Sequence, residues 1–123
     1  MWKSILLVGS GGFIGSTLRY LIGMWIQKGN SFSFPWATFL INITGCFLIG
    51  VLTGFLQKNA QQHQLLWLLL ATGFCGGFTT FSSFALENVH LIKNALSYYA
   101  MLYTLASIVV GILLCRFGIW LIQ

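Results

Sequence analysis

Four long apolar runs separated by short polar interruptions make up nearly the whole chain, at about 2–26, 36–56, 65–92 and 96–121. The interruptions are Lys28-Gly29-Asn30-Ser31 with Pro35, the Gln57 to Gln64 stretch, and Lys93-Asn94. A bilayer core of roughly 30 Å needs about 20 apolar residues in a helix that crosses it. Each run reaches that length, so the pattern predicts an all-α integral membrane protein of four transmembrane helices in a single transmembrane domain. The first run follows Lys3 and has the outline of a leader peptide. No Ala-x-Ala site follows it, and glycine-rich helix continues through Tyr20, so it is read as the first span.

The third run differs from the others. Its middle reads Gly73-Phe-Cys-Gly-Gly-Phe-Thr-Thr-Phe-Ser-Ser-Phe84, and paired glycines beside paired hydroxyl residues are poor helix material. Irregular backbone at membrane depth is tolerated only where protein or an aqueous cavity satisfies its polar groups. The expectation is a third helix broken mid-membrane, whose freed amides and carbonyls can bind an ion. Glycines spaced by four (Gly11/Gly15, Gly50/Gly54, Gly73/Gly77) predict close helix–helix approach in three of the spans.

Composition narrows the class. Charged residues make up 6% of the chain, against about a quarter in soluble domains. A water-facing surface cannot be built from so few, so the exterior faces lipid. The net charge of +5 arises from six scattered basic residues and a single acid, Glu87, and it marks no nucleic-acid footprint. Lys3, Lys58 and Arg116 fall at one side of the four-span arrangement, with Lys28, Lys93 and Arg19 at or near the other. Orientation follows a Lys/Arg bias, and three against three is none. Such a chain can insert both ways, and four helices are few to enclose a polar path, so an antiparallel dual-topology homodimer is expected.

Several chemistries drop out. Ile5 to Arg19 imitates a dinucleotide-binding turn, Gly9-x-x-Gly12-x-x-Gly15, but no acid follows at ribose-binding distance and no amphipathic helix is present. One carboxylate excludes paired acid–base catalysis, and His63 and His90 are read as interfacial, so no enzyme is expected. Cys46, Cys75 and Cys115 lie far apart in apolar runs without metal-ligand spacing, as packed thiols do.

The remaining polar residues share one property. Asn42, within Thr38 to Thr44, lies near the middle of the second span. Tyr103, Ser107 and Gly111 share a face of the fourth, and Thr79, Thr80, Ser82 and Ser83 surround the break. All donate hydrogen bonds. A donor-rich, acid-poor path suits a small anion, whereas a cation path calls for carboxylates or organised carbonyls. Phe81 and Phe84, three apart, share a face beside the break, and a phenyl ring presents a positive edge. Arg19 and Glu87 are intramembrane charges and therefore functional candidates.

These residues, in this order, resemble the Fluc/CrcB family of small fluoride channels. The resemblance rests on Gly-Gly-Phe-Ile-Gly-Ser-Thr-Leu-Arg19-Tyr, Asn42-Ile-Thr-Gly45-Cys-Phe, and above all the Gly73 to Glu87 string. It implies a dual-topology homodimer in the bacterial cytoplasmic membrane, with two antiparallel pores that export fluoride passively. Carried over, Phe81 and Phe84 line the pore with their ring edges and Asn42 donates to the ion. Ser82, Ser83, Tyr103 and Ser107 extend a polar track, with Thr38 beside it. Backbone carbonyls of Gly76 and Thr79 from both copies hold a central structural sodium ion, and Arg19 and Glu87 match charged positions. Cys46, Ser83, Ala37 and Gly111 depart from the residues common in the family. The principal competing class, a small proton-coupled multidrug or cation exporter with four spans and dual topology, needs a carboxylate in the first span; this chain has Arg19 there and no acid.

Overall fold

The computed structural model describes residues 1–28 and 34–123, so the loop expected at 29–31 lies outside the described residues. The chain is helical: α1 Trp2–Lys28 and α2 Trp36–Leu56 are followed by a 3₁₀ turn, Gln57–Asn59. The third span, Gln64–Lys93, starts as α3 (Gln64–Trp67), widens into π-helix over Leu68–Cys75, and closes in the short α4 (Gly76–Phe78). After two extended residues it resumes as α5 (Phe81–Lys93), and α6 (Ser97–Ile122) is the fourth span. Four helical segments are long and apolar enough to cross a membrane.

With lipid as solvent there is no hydrophobic drive between helices, and close backbone packing at small residues replaces it. Two helix pairs are built this way. On one side α1 lies along the third span. A Cβ on Gly11 would overlap the Leu69 carbonyl, one on Gly15 the Phe74 carbonyl, and one on Gly77 would stand 2.5 Å from the Gly12 carbonyl oxygen. On the other side Gly50 meets the Cys115 backbone, Gly54 meets Ile119 and Ile122, and Gly111 meets Cys46. Residue numbers rise together across both contacts, so each pair is parallel.

The break falls at Thr79–Thr80. Thr79 (φ −85°, ψ 158°) and Thr80 (φ −148°, ψ 121°) are extended. Thr79 ends the first half by donating both its N–H (3.0 Å) and its hydroxyl (2.9 Å) to the Cys75 carbonyl. Thr80 starts the second half as a helix cap, its hydroxyl oxygen accepting the Ser83 N–H at 3.2 Å. The turn from α5 to α6 needs only residues 94–96. Ala95 takes a left-handed conformation (φ 59°), and the Leu96 N–H donates to the Leu91 carbonyl at 2.8 Å, which satisfies the last turn of α5. Leu96 then packs on the small core of Leu91, Ala100 and Tyr103.

A candidate ion site at the helix break

Helix breakage liberates backbone groups, and the surrounding side chains decide which remain available. In an unbroken helix the Thr80 N–H would donate to the Gly76 carbonyl; it donates instead to Asn42 Oδ1 at 2.8 Å. Asn42 Nδ2 donates in return to the Thr80 carbonyl at 3.0 Å. The Ser83 N–H, which would have served the Thr79 carbonyl, goes to the Thr80 hydroxyl. Arg19, reaching across from α1, gives its Nε–H to the Gly77 carbonyl at 3.2 Å. The break thus takes the helical donors from the carbonyls of Gly76, Gly77, Phe78 and Thr79; Arg19 serves Gly77, and the donors due to Gly76 and Thr79 are held by Asn42 and by the Thr80 cap. Gly76 is also exposed, with nothing within 4 Å of where a Cβ would stand.

Beside the break lies an open groove of about 480 Å³, whose lining includes the polar residues Asn42, Thr79, Thr80 and Ser107 and the apolar residues Phe81, Phe84 and Ile108. Among the described residues, two donors there lack a partner. The Ser107 hydroxyl is buried without a partner. Asn42 carries two N–H groups on Nδ2, and the Thr80 carbonyl takes one. The two phenyl rings stand 5.7 Å apart, tilted by 37°; Phe81 is 80% exposed, while Phe84 leans on Tyr103 at 5.0 Å. No carboxylate lines the groove.

Beyond Phe84 and Tyr103 lies a second polar cluster. Glu87 accepts the Thr38 hydroxyl at 2.5 Å and the Tyr103 hydroxyl at 2.9 Å, one on each carboxylate oxygen. Tyr103 is 0% exposed and Thr38 is buried. Glu87 also borders a separate cavity of about 270 Å³ with His90 and Asn94, towards the 94–96 turn. Phe84 lines the groove and Tyr103 bonds Glu87, so their ring contact joins the groove to the Glu87 cluster.

The residues singled out from sequence are thus divided among four places. Asn42, Phe81, Phe84 and Ser107 come together in the groove, with Gly76 and Thr79 at its edge. Thr38, Tyr103 and Glu87 form their own hydrogen-bonded cluster. Ser82 and Ser83 gather at the Thr80 hydroxyl, 3.3 Å and 3.2 Å away. Arg19 binds the Gly77 carbonyl, and among the described residues no ion pair joins it to Glu87. Sequence reasoning missed Asn88 and Thr104, whose side chains bond at 3.1 Å while Asn88 Nδ2 donates to the Phe84 carbonyl at 3.0 Å. Their signal was available: both are polar residues inside apolar spans, each one position after a residue that was singled out. Cys46 and Cys75, read as packed thiols, also line the groove.

The family described as "CrcB-like protein, Camphor Resistance (CrcB)" matches residues 6–119, nearly the whole chain. The chain belongs to the CrcB family. Among curated CrcB relatives, it is 44% identical over 120 residues to a protein of Chlorobium phaeobacteroides named "Fluoride-specific ion channel FluC", covering 98% of this chain and 93% of that one. A protein of the same name from Phocaeicola vulgatus is 44% identical, with 97% and 98% covered. "Fluoride-specific ion channel FluC 2" of Bacillus cereus is 47% identical, with 94% of each covered.

Proposed function

We propose that this CrcB protein is a fluoride channel that releases fluoride passively across the bacterial cytoplasmic membrane. The observation that carries the reading is the groove, whose lining combines Asn42 and Ser107, donors without a full set of partners among the described residues, with two phenyl rings and no carboxylate. An unpaired ion costs on the order of tens of kcal/mol to move into a low-dielectric interior. Fixed donors and ring edges offset that cost for a small anion, and a carboxylate in the same wall would oppose it. The Glu87 carboxylate lies outside the wall, with both oxygens already held by hydroxyls. The path runs from the cavity bordered by Glu87 and His90, past Phe84 and Tyr103, to the groove of Asn42 and Ser107. Movement of the ion along it breaks and forms hydrogen bonds only, so no catalytic step is involved.

The working unit is a pair of copies running in opposite directions. The balance of basic residues between the two sides supports insertion both ways. The open groove and the exposed Phe81 and Gly76 in a single copy support a second copy as their cover. A structural sodium ion belongs between the copies. Hard cations take oxygen ligands, about six of them; the Gly76 and Thr79 carbonyls fit that chemistry, but one chain brings too few. Such an ion would offset the repulsion of carbonyl dipoles brought together from both breaks.

The test is efflux from liposomes loaded with potassium fluoride and containing the purified protein, followed with a fluoride electrode. Fluoride should leave rapidly without a proton or sodium gradient, and chloride should stay. Dependence on a proton gradient would replace this reading with a coupled transporter. Covalent cross-linking of the reconstituted protein and tags on the C-terminus test the pair: dimers with tags in both compartments are expected, and one uniform orientation would overturn the antiparallel arrangement.

A further inference from the structure

The groove and the freed carbonyls are joined by a single side-chain amide. Asn42 exchanges two hydrogen bonds with Thr80, accepting its N–H at 2.8 Å and donating to its carbonyl at 3.0 Å, as one strand residue does with another. The N–H it accepts is the one the Gly76 carbonyl would otherwise receive. Asn42 also lines the groove, and among the described residues its second Nδ2–H has no partner. We propose that Asn42 is a positioning residue that couples the ion path to the cation site: by holding Thr80 out of helical register it keeps the Gly76 carbonyl open to a hard cation. The same clamp orients its own remaining N–H toward the groove. This rests on the sodium reading above and extends it.

The neighbouring contacts isolate Asn42 as the decisive group. Thr79 is fixed to Cys75 by two bonds of its own, Gly77 is engaged by Arg19, and the Thr79 carbonyl loses its donor to the Thr80 hydroxyl cap. The extended Thr79–Thr80 backbone turns the Thr80 N–H out of the helix, and Asn42 alone among these groups receives it there. Without the Asn42 acceptor that N–H is left unmet in a water-poor interior, at about 1–3 kcal/mol, which favours a return of Thr79 and Thr80 to helical dihedrals, where the Gly76 carbonyl is its partner. The chain then gains a helical bond and loses a cation ligand. Occupancy of the cation site and conduction of fluoride are therefore linked through one amide, although the two ions need never touch.

The substitutions separate the two halves of that amide. Asn42→Asp keeps an oxygen for the Thr80 N–H and loses the donors; Asn42→Ala and the shorter Asn42→Ser lose the reach for both. Thermal unfolding of the purified full chain is followed in sodium chloride against N-methylglucamine chloride, and fluoride efflux is measured on the same preparations. All three variants should conduct poorly. The sodium concentration giving half the stabilisation should stay within about twofold of wild type for Asn42→Asp and rise at least tenfold for Asn42→Ala and Asn42→Ser. An unchanged midpoint in the latter two, or an equal rise in all three, overturns the coupling. Asn42→Ser stands in should Asn42→Ala not fold. A second readout needs no sodium: infrared spectra of protein carrying a 13C=18O label at the Gly76 carbonyl. The band should be that of a free carbonyl in wild type and Asn42→Asp and move to lower frequency in Asn42→Ser; an identical band in all overturns the proposal. A wild type that ignores sodium but shows this band pattern rejects the sodium reading and retains the clamp.

Discussion

Two polar clusters sit within the same bundle, separated by the Phe84–Tyr103 contact, and they are opposite in completeness. Around Glu87 every strong group is matched: each carboxylate oxygen has its hydroxyl, and the hydroxyl donors, Thr38 and Tyr103, are buried. Around the break, donors are left over among the described residues: the Ser107 hydroxyl is buried and unpartnered, and one Asn42 N–H is unused. Buried polar groups in proteins are nearly always bonded, and the exceptions call for an explanation. A matched cluster holds helices together. An unmatched one is prepared for something that arrives later. The contrast separates polar residues that build the bundle from those that receive the ion.

The largest expected effect lies on the receiving side. Phe81→Ile removes the ring edge from the groove and leaves an apolar side chain on the face that the second copy covers. Fluoride efflux should fall by about a hundredfold or more, which corresponds to about 2.7 kcal/mol of lost stabilisation, while cross-linking still captures dimers. Wild-type efflux from this variant would remove the rings from the path. Ser107→Ala follows. A hydrogen bond to a charged group contributes about 1.5–3 kcal/mol, so flux should drop roughly tenfold to a hundredfold. Because the hydroxyl has no protein partner, thermal stability should not fall, and a lowered unfolding temperature would show that Ser107 belongs with the matched cluster after all.

Glu87 should respond in the opposite sense. Glu87→Ala leaves two buried hydroxyls without acceptors, at about 1–3 kcal/mol each, so unfolding in detergent should occur at clearly lower temperature. Glu87→Gln should recover much of this, because the amide oxygen accepts one hydroxyl and the amide N–H can donate to the other. A Glu87→Ala protein as stable as wild type would dissolve the contrast between the clusters.

How far the sequence foretold this division depends on the range of each interaction. The four spans follow from local hydropathy, and the break at Thr79–Thr80 from glycines and hydroxyls packed into one window. Asn42 and Ser107 were legible because polar groups in lipid are costly. Glu87 follows Phe84 by three residues, a spacing that puts it on the Phe81 and Phe84 face of an ideal helix, yet it borders another cavity, and Tyr103 of α6 meets both Phe84 and Glu87. That is a tertiary fact, and periodicity along one helix does not carry it. The π-helical stretch Leu68–Cys75 was illegible for a similar reason: no residue in it forbids an α-helix, and it lies where α1 packs closely through Gly11 and Gly15. The bonds from Asn42 to Thr80 join residues on different spans, so no local pattern announces them.

The smallest effect tests whether the matched side is at its optimum. Ala95 closes the α5–α6 turn at φ 59°, where a Cβ crowds the following carbonyl at a cost of about 1–2 kcal/mol. Glycine is free of that clash but loses more entropy on folding, by about 0.5–1 kcal/mol. The difference favours Ala95→Gly by up to about 1.5 kcal/mol, read as a modest rise in unfolding temperature. Fluoride efflux should not change, because Ala95 lines neither the groove nor the cavity beside Glu87. Leu96 must still donate to the Leu91 carbonyl and pack beside Tyr103 for the turn to hold. A gain in stability that came with a change in flux would therefore mean that this turn, through Leu96 and Tyr103, also sets the distance between Phe84 and the ion path.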